Sequence, residues 1–475
     1  MSTAIVVGSG PNGLSAAATL ARAGVEVTVL EAAESVGGGC RSSELIRPGL
    51  ISDHCSAIHP LAAHSPGLEP LGLAEHGLEW IHPEVDLAHP LDDGSAAVML
   101  RSLEATAEGL GDAGSRWRAV FGRPARGFAR LNRDDLMRPM AHVPRHPLVL
   151  AQFGVRTLPP ATALGRRLGS EAAGALFGGV AAHAFSPMSR VMSSAVGMAL
   201  VCACHAFGWP LAKGGSGAIT DALAAVVTAN GGRIETGVRV RSLRELGEAD
   251  AVVFDLAPRD VAAIAGDRVP RRVARALRRY RHGPGAFKLD LAIEGGIPWT
   301  AEACRRAGTV HAIGGLDELA RSEAEVNRGR MPERPFVLVG QQYLADPSRS
   351  DGDVHPLWAY AHVPSGYDGD ATEAIIAQIE RFAPGFRERI LDTVSRSPRE
   401  LEARNPNYVG GDIITGANTP IQILARPRIA IDPYLCGDGL YICSAASPPG
   451  PGAHGMGGAN AAASVLRRLD RIAAR

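Results

Sequence analysis

Residues 6–17 read VVGSGPNGLSAA, and the fold turns on how this stretch is read. Ala4–Val7 is a short apolar run of the kind that forms a buried parallel strand. Gly8, Gly10 and Gly13 then spell G-x-G-x-x-G. In that motif the first glycine makes the tight turn, the second lets backbone approach a pyrophosphate, and the third lets a helix pack closely on the strand. The helix start also presents free N–H groups and the positive end of its dipole to phosphates. Ala17, Leu20 and Ala21 supply helical spacing, and Gly24 ends the helix. Val25, Val27 and Val29 alternate as a second strand, closed by Glu31. An acid 18 residues after Gly13 is placed to accept ribose hydroxyls and to repel a ribose 2′-phosphate. Strand, glycine loop, helix, strand and terminal acid, all in register, predict adenine-dinucleotide binding.

A second loop of the same spacing stands in SAASPPGPGAHGMGGANAAASVL (444–466), where Gly450, Gly452 and Gly455 repeat G-x-G-x-x-G. The apolar GLYIC precedes it and the helical ANAAASVLRRL follows. No strand with a terminal acid follows within the sequence, so half of a nucleotide fingerprint is missing. The reading is that both loops hold one dinucleotide, the first at its pyrophosphate and the last nearer its other end.

Composition narrows the function classes. Acidic and basic residues balance at 49 each, and no basic patch interleaves with aromatics, so nucleic acid is not an expected partner. The seven cysteines form no C-x-x-C pair, and free cysteines of this kind are usually buried. No metal-ligand cluster, paired-carboxylate site or nucleophile elbow appears. The longest apolar stretch, 193–209, contains His205 and two glycines and is shorter than a membrane span of about 20 residues; a buried helix is expected. The strand at residues 3–7 leaves no room for a signal peptide before it, and the expected location is cytoplasmic, with peripheral membrane contact left open. Of the 49 basic residues only Lys213 and Lys288 are lysines.

Four segments resemble the phytoene-dehydrogenase-like branch of the flavin amine-oxidase superfamily. They are the N-terminal loop with EAAESVGGGCRS, HCSAIHPLAAHSP (54–66), GWPLAKGGSGAITDALAAVVTANGGRIETGVRVRSL (208–243), and LYICSAASPPGPGAHGMGGANAA near the end. The resemblance implies an α/β fold: a Rossmann-like FAD-binding domain of the glutathione-reductase and amine-oxidase type with an inserted mixed α+β substrate domain. It places the FAD domain discontinuously in 1–75, 208–265 and 405–475, and the substrate domain in 76–207 and 266–404. The cofactor contacts it implies are Gly8, Gly10, Pro11, Asn12, Gly13, Glu31, Gly38, Gly39, Arg41, Val240, Ala445, Gly452, His454, Gly455 and Met456. Two departures stand out. Gly39 occupies the arginine position of the family's E-x5-G-G-R pattern, with Arg41 two residues later, and His454 stands where desaturases have proline.

The resemblance implies hydride transfer from a hydrophobic isoprenoid, lipid-like or natural-product substrate to flavin N5, with C–C desaturation foremost. Saturation or isomerisation is the less common variant. The electron acceptor is O2 or unassigned. Oxidation of an amine or amino-acid-derived group is the second reading, and a flavin-binding scaffold without turnover the third. Lys288, His454 and His59 are the catalytic candidates. Lys288 lies on the alternating stretch GAFKLDLAIEG, where the alternative is a solvated Lys288–Asp290 pair, and the superfamily's amine oxidases carry a lysine on such a strand near N5. His54, His183, Trp358, Tyr360, His362 and Tyr408 are further candidates for the cleft or chamber wall. Helix 371–391 carries an apolar face of Ile375, Ile376, Ile379 and Phe382, expected to pack inward. Homo-oligomerisation stays open.

Overall fold

A computed structural model of the chain describes residues 2–139 and 141–474. The predicted strand–loop–helix–strand unit forms as Thr3–Val7, Pro11–Arg22 and Glu26–Leu30. It nucleates a six-stranded sheet in the order 435–437, 440–442, 251–254, 3–7, 26–30, 233–235. All its pairings are parallel except that of 435–437 with 440–442. Parallel strands covered on both faces need continuous apolar runs, and AVVF (251–254) and LYI (440–442) are buried throughout. Helix 11–22 packs between helices 217–229 and 456–473 on one face. Helices 258–265 and 271–278 join the core on the other through Val261, Val273 and Leu277, so this half continues past residue 265. The segment RIETGVRVRSL, which alternates like a strand pair, keeps strand geometry only over Arg233–Glu235; residues 236–242 run without ladder partners and pass over the strand ends instead.

The second sheet has seven strands, in the order 390–396, 285–294, 354–363, 337–340, 307–312, 85–90, 96–99. Only the pair 307–312 and 85–90 is parallel. The apolar stretch predicted as a buried helix is Ser194–Phe207, packed with helix Glu171–Ala182 behind this sheet. The expected helix 371–391 is shorter, Thr372–Phe382, because Gly385 and the strand 390–396 interrupt it. Its four apolar residues are buried, as their spacing predicts. Among the described residues no helix is long and apolar enough to cross a membrane.

The two halves are tied by a buried ionic knot. Arg349 is fully buried; its Nη1 donates to Asp53 at 2.5 Å, its Nε to Asp346 at 2.9 Å and its Nη2 to the Ala212 carbonyl at 2.7 Å. Asp53 also accepts from the Ser42 hydroxyl and the Ser216 N–H, both at 2.6 Å. Burial alone would raise the Asp53 carboxyl, but Arg349 and these donors outweigh it and hold it below its ordinary range. Removing the cation strands two carboxylates in the interior, so Arg349→Met is expected to lower unfolding free energy by about 3–5 kcal/mol. Denaturant titration checks this, and adding Asp53→Asn should recover part of the loss.

Candidate functional site

In open α/β sheets ligands bind beyond the carboxyl ends of the strands, where the strand order reverses. Here the ends of the five parallel strands open on one cavity of about 760 Å³. It is lined by Val7 to Asn12, Leu30 to Ala32, Val238 to Arg241, Asp255 to Pro258 and Ser444 to Ala446. The same cavity runs on without a break to the face of the second sheet. Both glycine loops thus border one space.

At the dinucleotide end, Glu31 is buried with its carboxylate tying the loop together. It accepts from the Ser9 N–H at 2.9 Å, the Ser9 hydroxyl at 2.6 Å and the Ala33 N–H at 2.8 Å, while Arg41 lies 3.4 Å away. Arg41 also donates its Nε to the Val36 carbonyl at 3.1 Å and its Nη2 to the Ser35 carbonyl at 2.8 Å, and it lines the cavity. Gly38, Gly39 and Val240 line the cavity. At Gly39 an added Cβ would stand 1.9 Å from the Tyr408 hydroxyl, so this ring fills the place where the related pattern has an arginine.

Asp255 escaped the sequence reading, although the signal was there: AVVFD repeats the apolar-run-then-acid pattern of VTVLE. Its carboxylate accepts the Gly13 N–H at 2.9 Å, directly beneath the first loop. Burial, then the nearby Glu31 charge, pushes it up to about 7. Gly13 therefore packs beneath the cleft and does not line it, as do Gly455 and Met456 in the last loop, whereas Ala445 and Gly452 do line it. The site suits the implied cofactor. Helix 11–22 begins without a side-chain cap, and Asn12 Oδ1 and Ser444 Oγ are buried cleft atoms without hydrogen-bond partners.

At the chamber end the wall is a cross-strand row. Lys288 pairs in register with Tyr360, and Tyr360 with Leu338; all three line the cavity. Trp358 and Tyr360 stack nearly parallel, 5.5 Å apart. Helix 194–207 contributes Val196, Ala199 and Leu200 opposite. Lys288 is 3% exposed and Asp290 is fully buried, which overturns the alternative of a solvated pair. Lys288 donates to Asp290, and Arg396 donates to the other oxygen of Asp290 at 2.5 Å. Burial lowers the Lys288 ammonium below its ordinary value, against the pull of Asp290.

The histidines divide. His59 lines the cavity, with Nε2 2.8 Å from the Ser216 hydroxyl, and burial lowers it to about 4. His183 lines it too, paired to His311 at 3.0 Å and lowered by burial to about 3. His454, a catalytic candidate, is turned into the protein. Its Nδ1 accepts the Met456 N–H at 3.1 Å, which makes it a brace at the start of helix 456–473, outside the cavity wall. His362 is likewise outside: it pairs with Glu323 at 2.6 Å and stacks on Phe185. His54 binds the Ser43 hydroxyl away from the chamber. Among the described residues no cluster suited to a metal ion occurs.

Fold and site define a chain with a fold like that of the flavin amine oxidases and a cleft that fits a dinucleotide cofactor. The NAD(P)-binding Rossmann-like domain family matches residues 6–69. Pyridine nucleotide-disulfide oxidoreductase domain-containing protein 2 of Rattus norvegicus is 25% identical, over 99% of this chain and 94% of that protein. Among solved structures, putrescine oxidase bound to putrescine superposes with a TM-score of 0.62 at 17% identity, covering 100% of this chain and 99% of that one. Cyclohexylamine oxidase from Brevibacterium oxydans gives 0.58 at 14% identity, covering 99% of each.

Asp255 sets a pH dependence. Folded, it keeps its proton to about 7, while the unfolded chain releases the corresponding proton near 3.8. The folded state binds more protons in that window, so stability of the cofactor-free protein should fall as pH rises from about 4 to about 7 and level off above. Thermal denaturation across this range should show the fall in the wild type and its attenuation in Asp255→Asn.

Proposed function

We propose that the protein is an FAD-dependent oxidoreductase that dehydrogenates a hydrophobic substrate, with C–C desaturation as the reaction. FAD, held between the two glycine loops, would supply the two-electron acceptor for hydride chemistry. The chain itself supplies a dry enclosure, orientation, and a proton-handling group at the wall. The open cavity also speaks against a scaffold role, since no side chains fill it.

One observation carries the choice of desaturation over amine oxidation. The lining carboxylates Glu31, Asp255 and Asp260 all belong to the dinucleotide half. The chamber half brings none to the cavity among the described residues; it brings Lys288, and the loop after helix 420–424 brings Arg426. Asp290 serves two cations, Lys288 and Arg396, which leaves one net positive charge in that buried group. A protonated amine entering such a chamber meets repulsion with little water to screen it. The apolar wall of Val196, Leu200, Leu338, Trp358 and Tyr360 suits a hydrocarbon body.

Lys288 sits where strand 285–294 meets the chamber, and its lowered affinity for a proton suits it to exchange one with the substrate or a held water. The oxidoreductase from Methanosarcina mazei with a TM-score of 0.61 shares the fold, which by itself does not select a reaction.

The purified protein is expected to carry about one FAD per chain, read from its visible spectrum after denaturation. Putrescine and cyclohexylamine should leave that flavin oxidised without oxygen present; bleaching by either would reverse the assignment. Lys288→Met should retain FAD yet slow reduction by the true substrate about 10²- to 10⁴-fold, the usual contribution of a positioned acid–base group. Stopped-flow half-reactions check it, and unchanged rates would remove Lys288 from the chemistry.

A further inference from the structure

Three arginines are buried among the described residues: Arg349, Arg396 and Arg426. The first two have carboxylate partners, Arg349 with Asp53 and Asp346, and Arg396 with Asp290. Arg426 has none. It is 3% exposed and lines the cavity. Its Nε donates to the Gln422 carbonyl at 3.0 Å and its Nη2 to the Asn418 side-chain carbonyl at 2.7 Å, while Nη1 reaches only the Ala445 carbonyl at 3.5 Å. All three acceptors are neutral. Burying a guanidinium without a counterion is unfavourable, and proteins avoid it unless the partner arrives from outside.

The surroundings are arranged for that partner. Asn418, 6% exposed, is fixed by donating its amide to the Ala184 carbonyl at 3.0 Å, so the acceptor that orients Arg426 is itself held. Thr415 also lines the cavity, and its buried Oγ1 has no hydrogen-bond partner. Its backbone is left-handed, with φ of 54°, which is uncommon for a β-branched residue and is found where a structure holds a side chain for use. The group lies between the last glycine loop, where a Cβ on Gly450 would stand 3.0 Å from Arg426 Nη1, and Ala184, which Asn418 holds next to His183.

We infer that Arg426, with Asn418 positioning it and the Thr415 hydroxyl beside it, receives the carboxylate of the substrate, so that the substrate is an apolar body ending in a single carboxylate. A guanidinium edge matches a carboxylate in shape and charge. One buried guanidinium without a carboxylate partner calls for one negative charge beside it. This inference rests on the chamber being the substrate site, as in the proposed function.

The test uses the full-length protein with its flavin and a matched set of ten-carbon probes: decanoate, 1-decanol and decylamine. Binding is followed by the flavin difference spectrum and, independently, by tryptophan fluorescence, since Trp209 and Trp358 line the cavity. Decanoate should bind at least about 10-fold more tightly than decanol, and decylamine most weakly. Arg426→Gln should weaken decanoate about 10- to 100-fold, the range for a charge-assisted hydrogen bond, and leave decanol unchanged. Asn418→Asp keeps the arginine but gives it an internal carboxylate, and should weaken decanoate in the same way. The inference is overturned if decanoate binds no better than decanol, or if both variants keep wild-type affinity for it. It is also overturned if Arg426→Gln sheds FAD while Asn418→Asp binds decanoate normally, which would assign the arginine to the cofactor. The two readings separate cleanly. Arginine-dependent decanoate quenching in a protein that takes up no FAD sustains the carboxylate site and removes the redox function, whereas bound FAD with indifference to decanoate does the reverse.

Discussion

Backbone touches backbone where the first and last helices meet. A Cβ placed on Gly458 would lie 1.9 Å from the Asn12 carbonyl, a distance no side chain tolerates. This approach seats the start of helix 456–473 against the start of helix 11–22, and each start follows a glycine loop. Widen that contact and the two loops no longer border one cavity. The single cofactor cleft, the strand order that feeds it and the chamber beyond it all presuppose this contact.

Around the cleft, the lining acids sit at the dinucleotide end, where Glu31 is fastened by Ser9 and Ala33 and Asp255 by the Gly13 N–H. Cations line both ends, Arg41, Arg239 and Arg241 there and Lys288 in the chamber. Ionic groups buried with full sets of partners, such as Asp53 with Arg349 and Asp346, hold the halves in register. Asn12, Ser444 and Thr415, each with a buried atom that lacks a partner, lie along the cavity. A polar atom left without a partner inside a protein is a place where something else is expected to bind.

Much of this was legible in the sequence where the signal is local. The first loop with Glu31 fixes strand, turn, helix and strand because each step follows from the conformational preference of the residue that makes it. The second loop repeats the spacing of the first, and the cavity that both border joins them to one ligand site. Long-range partners were not legible. Nothing in the composition of residue 454 tells that its ring turns inward onto Met456, and the alternation of 233–243 does not say that only three residues find a neighbouring strand. Lys288 and Asp290 look like a surface pair until a strand is known to be covered on both faces. Arg349 and Arg426 are two of 49 basic residues in a chain that uses arginine almost everywhere. Arg349 is held by Ala212 and Asp53, 137 and 296 residues away, whereas Arg426 is held by neighbours 4 to 19 residues away, and no pattern near either announces its burial.

The order of strands in the first sheet has a consequence for how the protein comes into being. Strand 3–7 precedes in the chain both its neighbour 251–254 and strand 440–442, which pairs with 251–254 in turn. A chain emerging from the ribosome holds its first glycine loop for most of synthesis with one side of its sheet unbuilt. The substrate half, whose strands all lie between residues 85 and 396, is complete earlier. Folding of the cleft is therefore late and dominated by distant pairings, which are slow to form and leave apolar strand edges exposed while they wait. Cofactor capture therefore waits for loop 444–453, because both glycine loops border its site.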